Sequence, residues 1–110
     1  MKTHSPILVM SITALSDIAQ RRFVGLGGDV CAAGAKALGA TEFEVAAGEQ
    51  ASVNAIGAIL IEAAGAISAG AEVESDANGK AVTLSAGISN GYALDAATAD
   101  GDIIRIVRGI

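Results

Sequence analysis

Turn signals interrupt this chain about every 8–12 residues, and the stretches between them are long enough for short strands and little else. Many of those stretches carry the β-branched residues that suit a pleated, half-buried surface. Ile7 to Ala14 reads as a first strand, with a turn at Ser16-Asp17. Arg21 to Leu26 reads as a second, closed by Gly27-Gly28-Asp29. Val30 to Ala40 is ambiguous: it is Ala-rich, but Gly34 and Gly39 each cost about 1 kcal/mol relative to Ala inside a helix. The expectation there is a short strand or turn around Val30-Cys31, with at most one helical turn near Ala35-Leu38. Thr41 to Val45 reads as a strand, and so do Ala51 to Ile56 and Ala58 to Glu62 on either side of Gly57. Glu72 to Ser75 and Ala81 to Leu84 flank Asp76-Ala77-Asn78-Gly79, where Asn-Gly supplies the positive φ angles of a tight hairpin. Ile88 to Leu94, with Asn90-Gly91 as a bulge or kink, and Asp102 to Arg108 complete the set.

This pattern predicts an all-β fold, a small β-sandwich or barrel of short strands and hairpins with at most one short helix. Residues 1–6 are polar and end in the only proline, which biases Ser5 away from helix. They read as an extended N-terminal arm, and 7–110 as a single β-rich domain; 110 residues leave no room for two. The chain also echoes itself. Gly39-Ala40, Gly48-Glu49, Val53 and Ile56-Gly57 are matched in order by Gly91-Tyr92, Gly101-Asp102, Ile106 and Gly109. The echo predicts two similar hairpin units packed together.

Composition sets the energetics. Hydrophobic residues make up 52% and charged residues 17%, so the chain can bury a core. That core is built from small side chains: 24 Ala and 14 Gly against two Phe, one Tyr and no Trp. Each buries little apolar area at roughly 25 cal/mol per Å², so a lone domain is modestly stable and assembly contacts would supply the missing burial. The net charge of -5 and the scattered basic residues argue against a nucleic-acid partner. No apolar run reaches the roughly 18 residues of a membrane span. Lys2 and the run Ile7 to Leu15 superficially resemble a signal peptide, but His4 and Pro6 interrupt, and the run ends with the alternation of a strand. Cys31 is the only cysteine, which excludes an internal disulfide and a Cys-based zinc site; it reads as a small buried residue and suits synthesis in a reducing cytoplasm.

Chemistry is sparse. Gly25-Leu26-Gly27-Gly28 follows a strand, but Val30 stands where a dinucleotide loop needs its third glycine. Glu74 to Gly79 partly imitates a calcium loop, yet the twelfth position is Ser85 where a bidentate Glu is required. His4 is the only histidine, so no Ser-His-Asp or Cys-His arrangement is credible. Glu72 and Glu74 share one face of one strand, whereas a glycosidase pair faces across a cleft. No catalytic residue, cofactor or metal site is predicted.

Three stretches stand out: Gly34-Ala35-Lys36-Ala37-Leu38-Gly39-Ala40; Ala63 to Val82 with its Glu72-Val73, Ser75-Asp76 and Gly79-Lys80; and Gly91-Tyr92-Ala93-Leu94-Asp95-Ala96-Ala97 followed by Gly101-Asp102-Ile103-Ile104-Arg105-Ile106. On these stretches, and so from about Arg21 onward, the sequence resembles the bacteriophage capsid decoration, or cement, proteins. The resemblance implies a non-enzymatic virion protein on the outer capsid surface, made in the bacterial host cytoplasm. The implied partners are the major capsid protein and further copies of itself, commonly as a homotrimer, stabilising the shell against internal DNA pressure. It carries no catalytic residues. Its physical requirements are an edge that pairs and an apolar patch that buries. Thr3, His4, Ser5, Pro6, Ile7 and Val9 are the candidate capsid or protomer contacts, through strand addition. Two other readings compete: a head spike or tail-associated β-module, and a small ligand-binding β-barrel, for which the chain offers few pocket-lining aromatic groups.

Overall fold

The computed structural model describes residues 4–109, and among them every regular element is a strand. These are β1 (Ser5–Thr13), β2 (Phe23–Gly25), β3 (Ala37–Thr41), β4 (Gln50–Glu62), β5 (Val73–Ser75), β6 (Ala81–Thr83), β7 (Tyr92–Ala93) and β8 (Ile103–Arg108). Six of them form one antiparallel sheet in the order β2-β3-β4-β8-β7, with β1 also paired to β4, and the sheet curls into a half-barrel. β5 and β6 form a separate hairpin across the Asn78-Gly79 turn.

β4 is the pivot. Its first half pairs with β1 in the register Met10↔Val53, Ser11↔Ser52, Ile12↔Ala51. Its second half pairs with β8 in the register Ile59↔Ile106, Leu60↔Arg105, Ile61↔Ile104. These are the same ladder used twice. The flanking hairpins repeat too: Ala40↔Asn54 and Thr41↔Val53 in one, Tyr92↔Val107 and Ala93↔Ile106 in the other. The loops follow suit. Ile18 and Val45 exchange both backbone hydrogen bonds, and so do Ile67 and Ala97. The Ala14 amide donates to the Glu49 carbonyl and Gly48 to Ala14, just as Ala63 donates to Asp102 and Gly101 to Ala63. The chain is therefore one unit folded twice. The first runs from β1 to the first half of β4, the second from the second half of β4 to β8. The echo in the sequence aligns on these same registers.

One glycine device recurs in both units. A Cβ on Gly39 would lie 2.2 Å from the Asn54 carbonyl oxygen, and one on Gly91 would lie 2.7 Å from that of Val107. Only glycine lets the two backbones approach this closely.

The core forms two clusters. One is made of first-unit residues alone, including Ala14, Ile18, Val24, Leu38, Val45 and Val53. The other holds the corresponding second-unit residues, among them Ile59, Ile61, Ile67, Val73, Ile104 and Ile106, and in addition Phe23, Cys31, Ala37 and Ala40 from the first unit. Second-unit packing is thus closed by the back of the first.

Several boundaries differ from the sequence expectations. The allowance of at most one helical turn near Ala35-Leu38 resolves to none, and the strand not expected there, β3, occupies Ala37–Thr41. The buried Asn90 side chain explains this. Its Oδ1 accepts from the Ala37 amide (2.9 Å) and its Nδ2 donates to the Ala35 carbonyl (3.0 Å), engaging the groups a helix would use. The strand expected over Thr41 to Val45 ends at Thr41, where Thr41 Oγ1 donates to the Ala19 carbonyl (2.7 Å); Val45 makes only the bridge to Ile18. Gly57 does not divide β4, which runs 13 residues through it. The strand expected over Ile88 to Leu94 shrinks to Tyr92–Ala93, because Asn90 serves β3. At the N-terminus β1 begins at Ser5, so Ser5 and Pro6 already pair with Ala58 and Gly57.

Candidate docking surface

β1 has β4 along one side and, among the described residues, no strand along the other. An open edge of this kind offers unpaired backbone groups to another chain. It is also apolar. Ile7 is 81% exposed, Leu8 40%, Val9 49% and Met10 37%. The exposure has a local cause. Pro6 pairs with Gly57 and Leu8 with Ile56, so Ile7 is the extra residue of a β-bulge, and a second irregularity follows between Leu8 and Val9. The bulge turns Ile7 outward.

The structure thus brings Ser5, Pro6, Ile7 and Val9 together on one strand, with Ser5 and Val9 exposed and Pro6 half-buried. His4 lies just before it, half-buried, with Nε2 at 3.7 Å from Glu42 Oε1. Thr3 lies outside the described residues.

A second exposed apolar face escaped the sequence reading. Tyr92 and Val107 are cross-strand partners on β7 and β8, and they are 51% and 41% exposed; Leu94 lies beside them in the chain at 44%. Tyr92 and Val107 border an open cavity of about 430 Å³ also lined by Lys36, Glu72, Asn90 and Arg108. The only tyrosine of the chain, placed after Gly91 in a strand, was the available signal.

Arg108 is the one cation buried among the described residues, at 5% exposed. Its Nη2 donates to the Ala37 carbonyl at 2.7 Å, while Nε and Nη1 are buried without a partner. Burial pushes its pKa down, as it does that of the neighbouring Lys36. Cys31 is fully buried and burial raises its thiol pKa, which makes it unreactive rather than nucleophilic.

The acidic residues are engaged in local structure. Asp76 Oδ1 accepts from the Asn78 and Lys80 amides (2.8 and 2.9 Å), which builds the hairpin turn that imitates a calcium loop in sequence. Glu74 Oε2 accepts from the Gly87 amide (2.7 Å) and Asp95 forms a bidentate pair with Arg105. Among the described residues no cluster of three or more His, Cys, Asp or Glu side chains is placed to hold a metal.

The β1 edge and the Tyr92–Val107 face are exposed apolar surfaces, which is the character of a contact surface. Comparison with known proteins gives a similar fold and a family. The fold is similar to the crystal structure of the N base of the head fiber gp8.5 in bacteriophage phi29, with a TM-score of 0.74 at 19% identity over 93% of each chain. Nothing matches among curated proteins. The sequence model of the phage cement proteins matches residues 1–108, nearly end to end, and the chain belongs to the phage cement protein family.

Proposed function

We propose that this protein binds the outer surface of a phage capsid and stabilises the shell, with the major capsid protein as its partner and a homotrimer as its attached form. The family is structural and non-enzymatic, which fixes the class of activity. The observation that carries the finer reading is β1, a strand with one paired side and exposed Ile7, Leu8 and Val9. A coat segment adding to this edge gains main-chain hydrogen bonds, while the apolar side chains bury against the shell. A core rich in alanine leaves the isolated domain modestly stable, so shell contact also stabilises the decoration protein itself.

The test is binding to purified shells of the same phage stripped of this protein. Ile7→Glu and Val9→Glu should bind at least tenfold more weakly while keeping a wild-type circular dichroism spectrum. Removing residues 1–6 should also weaken binding. Unchanged binding by all three would remove this edge from the mechanism. The likeness to a head-fiber base favours a second reading, a base for a spike or fiber on the head. A low copy number per particle would select it over cement.

A further inference from the structure

The two units share a backbone plan, yet their surroundings differ in a patterned way. In the first unit, the face formed by Phe23, Ala40 and Asn54 is buried at 0%, 0% and 2% exposure, with Phe23 and Ala40 packed into the second-unit core. In the second unit the same three places hold Glu72, Tyr92 and Val107, and among the described residues they are only partly covered: Tyr92 is 51% and Val107 41% exposed, and Glu72 is half-buried. The converse holds at the other end. Ile59 and Ile61 are fully buried beneath the first-unit cap, while Met10 and Ile12, which take their places in the first unit, are 37% exposed and half-buried. Among the described residues the chain therefore has a head that lacks a cap and a tail that caps nothing.

We propose that a second copy of this chain closes both ends, the Met10–Ile12 head of one copy packing on the Tyr92–Val107 tail of the next. The partner is a further copy because the complementary surface is already present in the chain: the contact between units would be carried across to a neighbour. The side chains at the two joints differ in size and stiffness. Inside the chain a small Ala40 shares a cluster with the stiff, branched Ile59; between copies a large Tyr92 would meet the flexible, unbranched Met10. Such a contact joins two different patches, so it propagates head to tail and must close into a ring or extend as a filament. It rests on the homotrimer reading above, and it names the faces that close the ring.

The experiment is native mass measurement of the full chain and two variants in solution, with no shell present. Tyr92→Glu disables the tail and Met10→Glu disables the head. Both sites are exposed, so folding should survive; Tyr92→Ser and Met10→Ser replace any variant whose dichroism spectrum is lost. The wild type should be a trimer and each variant alone a monomer. An equal mixture of the two should give dimers and nothing larger, since one intact head and one intact tail remain. A mixture that stays monomeric, or variants that keep the wild-type mass, would overturn the assignment of faces while leaving the trimer standing. A wild type that is monomeric at its highest soluble concentration would overturn both. A tail variant that loses shell binding from a monomeric wild type would give the face to the coat protein instead.

Discussion

Phe23 and Glu72 hold the same place in the two halves of the chain: the Phe23 carbonyl accepts from the Cys31 amide at 3.0 Å and the Glu72 carbonyl from the Leu84 amide at 2.9 Å, yet Phe23 is fully buried and Glu72 is half-buried at the surface. One backbone position thus serves as a core plug in one unit and as part of an outer face in the other. Phe23→Ala should destabilise by about 3–5 kcal/mol, because it empties the largest side chain from the core. Glu72→Ala should change stability by no more than about 0.5 kcal/mol. Urea midpoints of the two variants check the contrast.

Gly39 and Gly70 are constrained for different reasons. A Cβ at Gly39 would meet the Asn54 carbonyl oxygen at 2.2 Å, whereas at Gly70 it would meet nothing within 4 Å and the constraint is φ, at +86°. Gly70→Ala should cost about 1–2 kcal/mol through the backbone alone. Gly39→Ala forces β3 and β4 apart and should cost at least about 3 kcal/mol. Thermal unfolding of both variants decides the order. The residue in the place of Gly70 in the first unit is Arg21, which adopts φ +58°.

How much of this was legible in the sequence follows from the same residues. The all-β class, the 76–79 hairpin and the last strand were readable because turn chemistry and β-branched runs are local signals. The internal repeat was visible where glycines and acids recur, at Gly48-Glu49 and Gly101-Asp102. β3 was not, because its place is decided by Asn90, 53 residues away along the chain. The candidate edge was found through the Ile7 to Val9 run. The tail face was not, since Tyr92 and Val107 become neighbours only when β7 pairs with β8.

Acid should weaken the first unit at a defined place. Asp29 has its pKa held below the ordinary carboxylate value by a hydrogen bond from the Ser16 hydroxyl and a second from the Val30 amide, with burial opposing weakly. A folded pKa below the unfolded one gives stability that is present above the unfolded value and is lost as pH falls through the folded value. Asp29→Asn should therefore be less stable than wild type at neutral pH. The gap should close as the pH falls below about 4, the ordinary carboxylate value. Urea unfolding at neutral and acidic pH measures both.

Arg108 is a charge in the core with no carboxylate partner within ion-pair distance among the described residues. Among the described residues its side chain makes one hydrogen bond, to the Ala37 carbonyl, and two buried guanidinium nitrogens have no partner. Arg108→Met, of similar length and apolar, should stabilise the fold by about 1–3 kcal/mol, the cost of leaving buried donors unsatisfied. The denaturant midpoint checks it, and a loss of stability would mean that the guanidinium is satisfied in solution.

In the proposed decoration role this chain shares load on the capsid surface. The decisive measurement is quantitative mass spectrometry of purified particles, scored against the major coat protein before and after the chain is stripped. A decoration protein should be present at a copy number of the same order as the coat protein, and stripped particles should rupture at lower temperature. A handful of copies per particle, or shells as stable without the chain as with it, would contradict it.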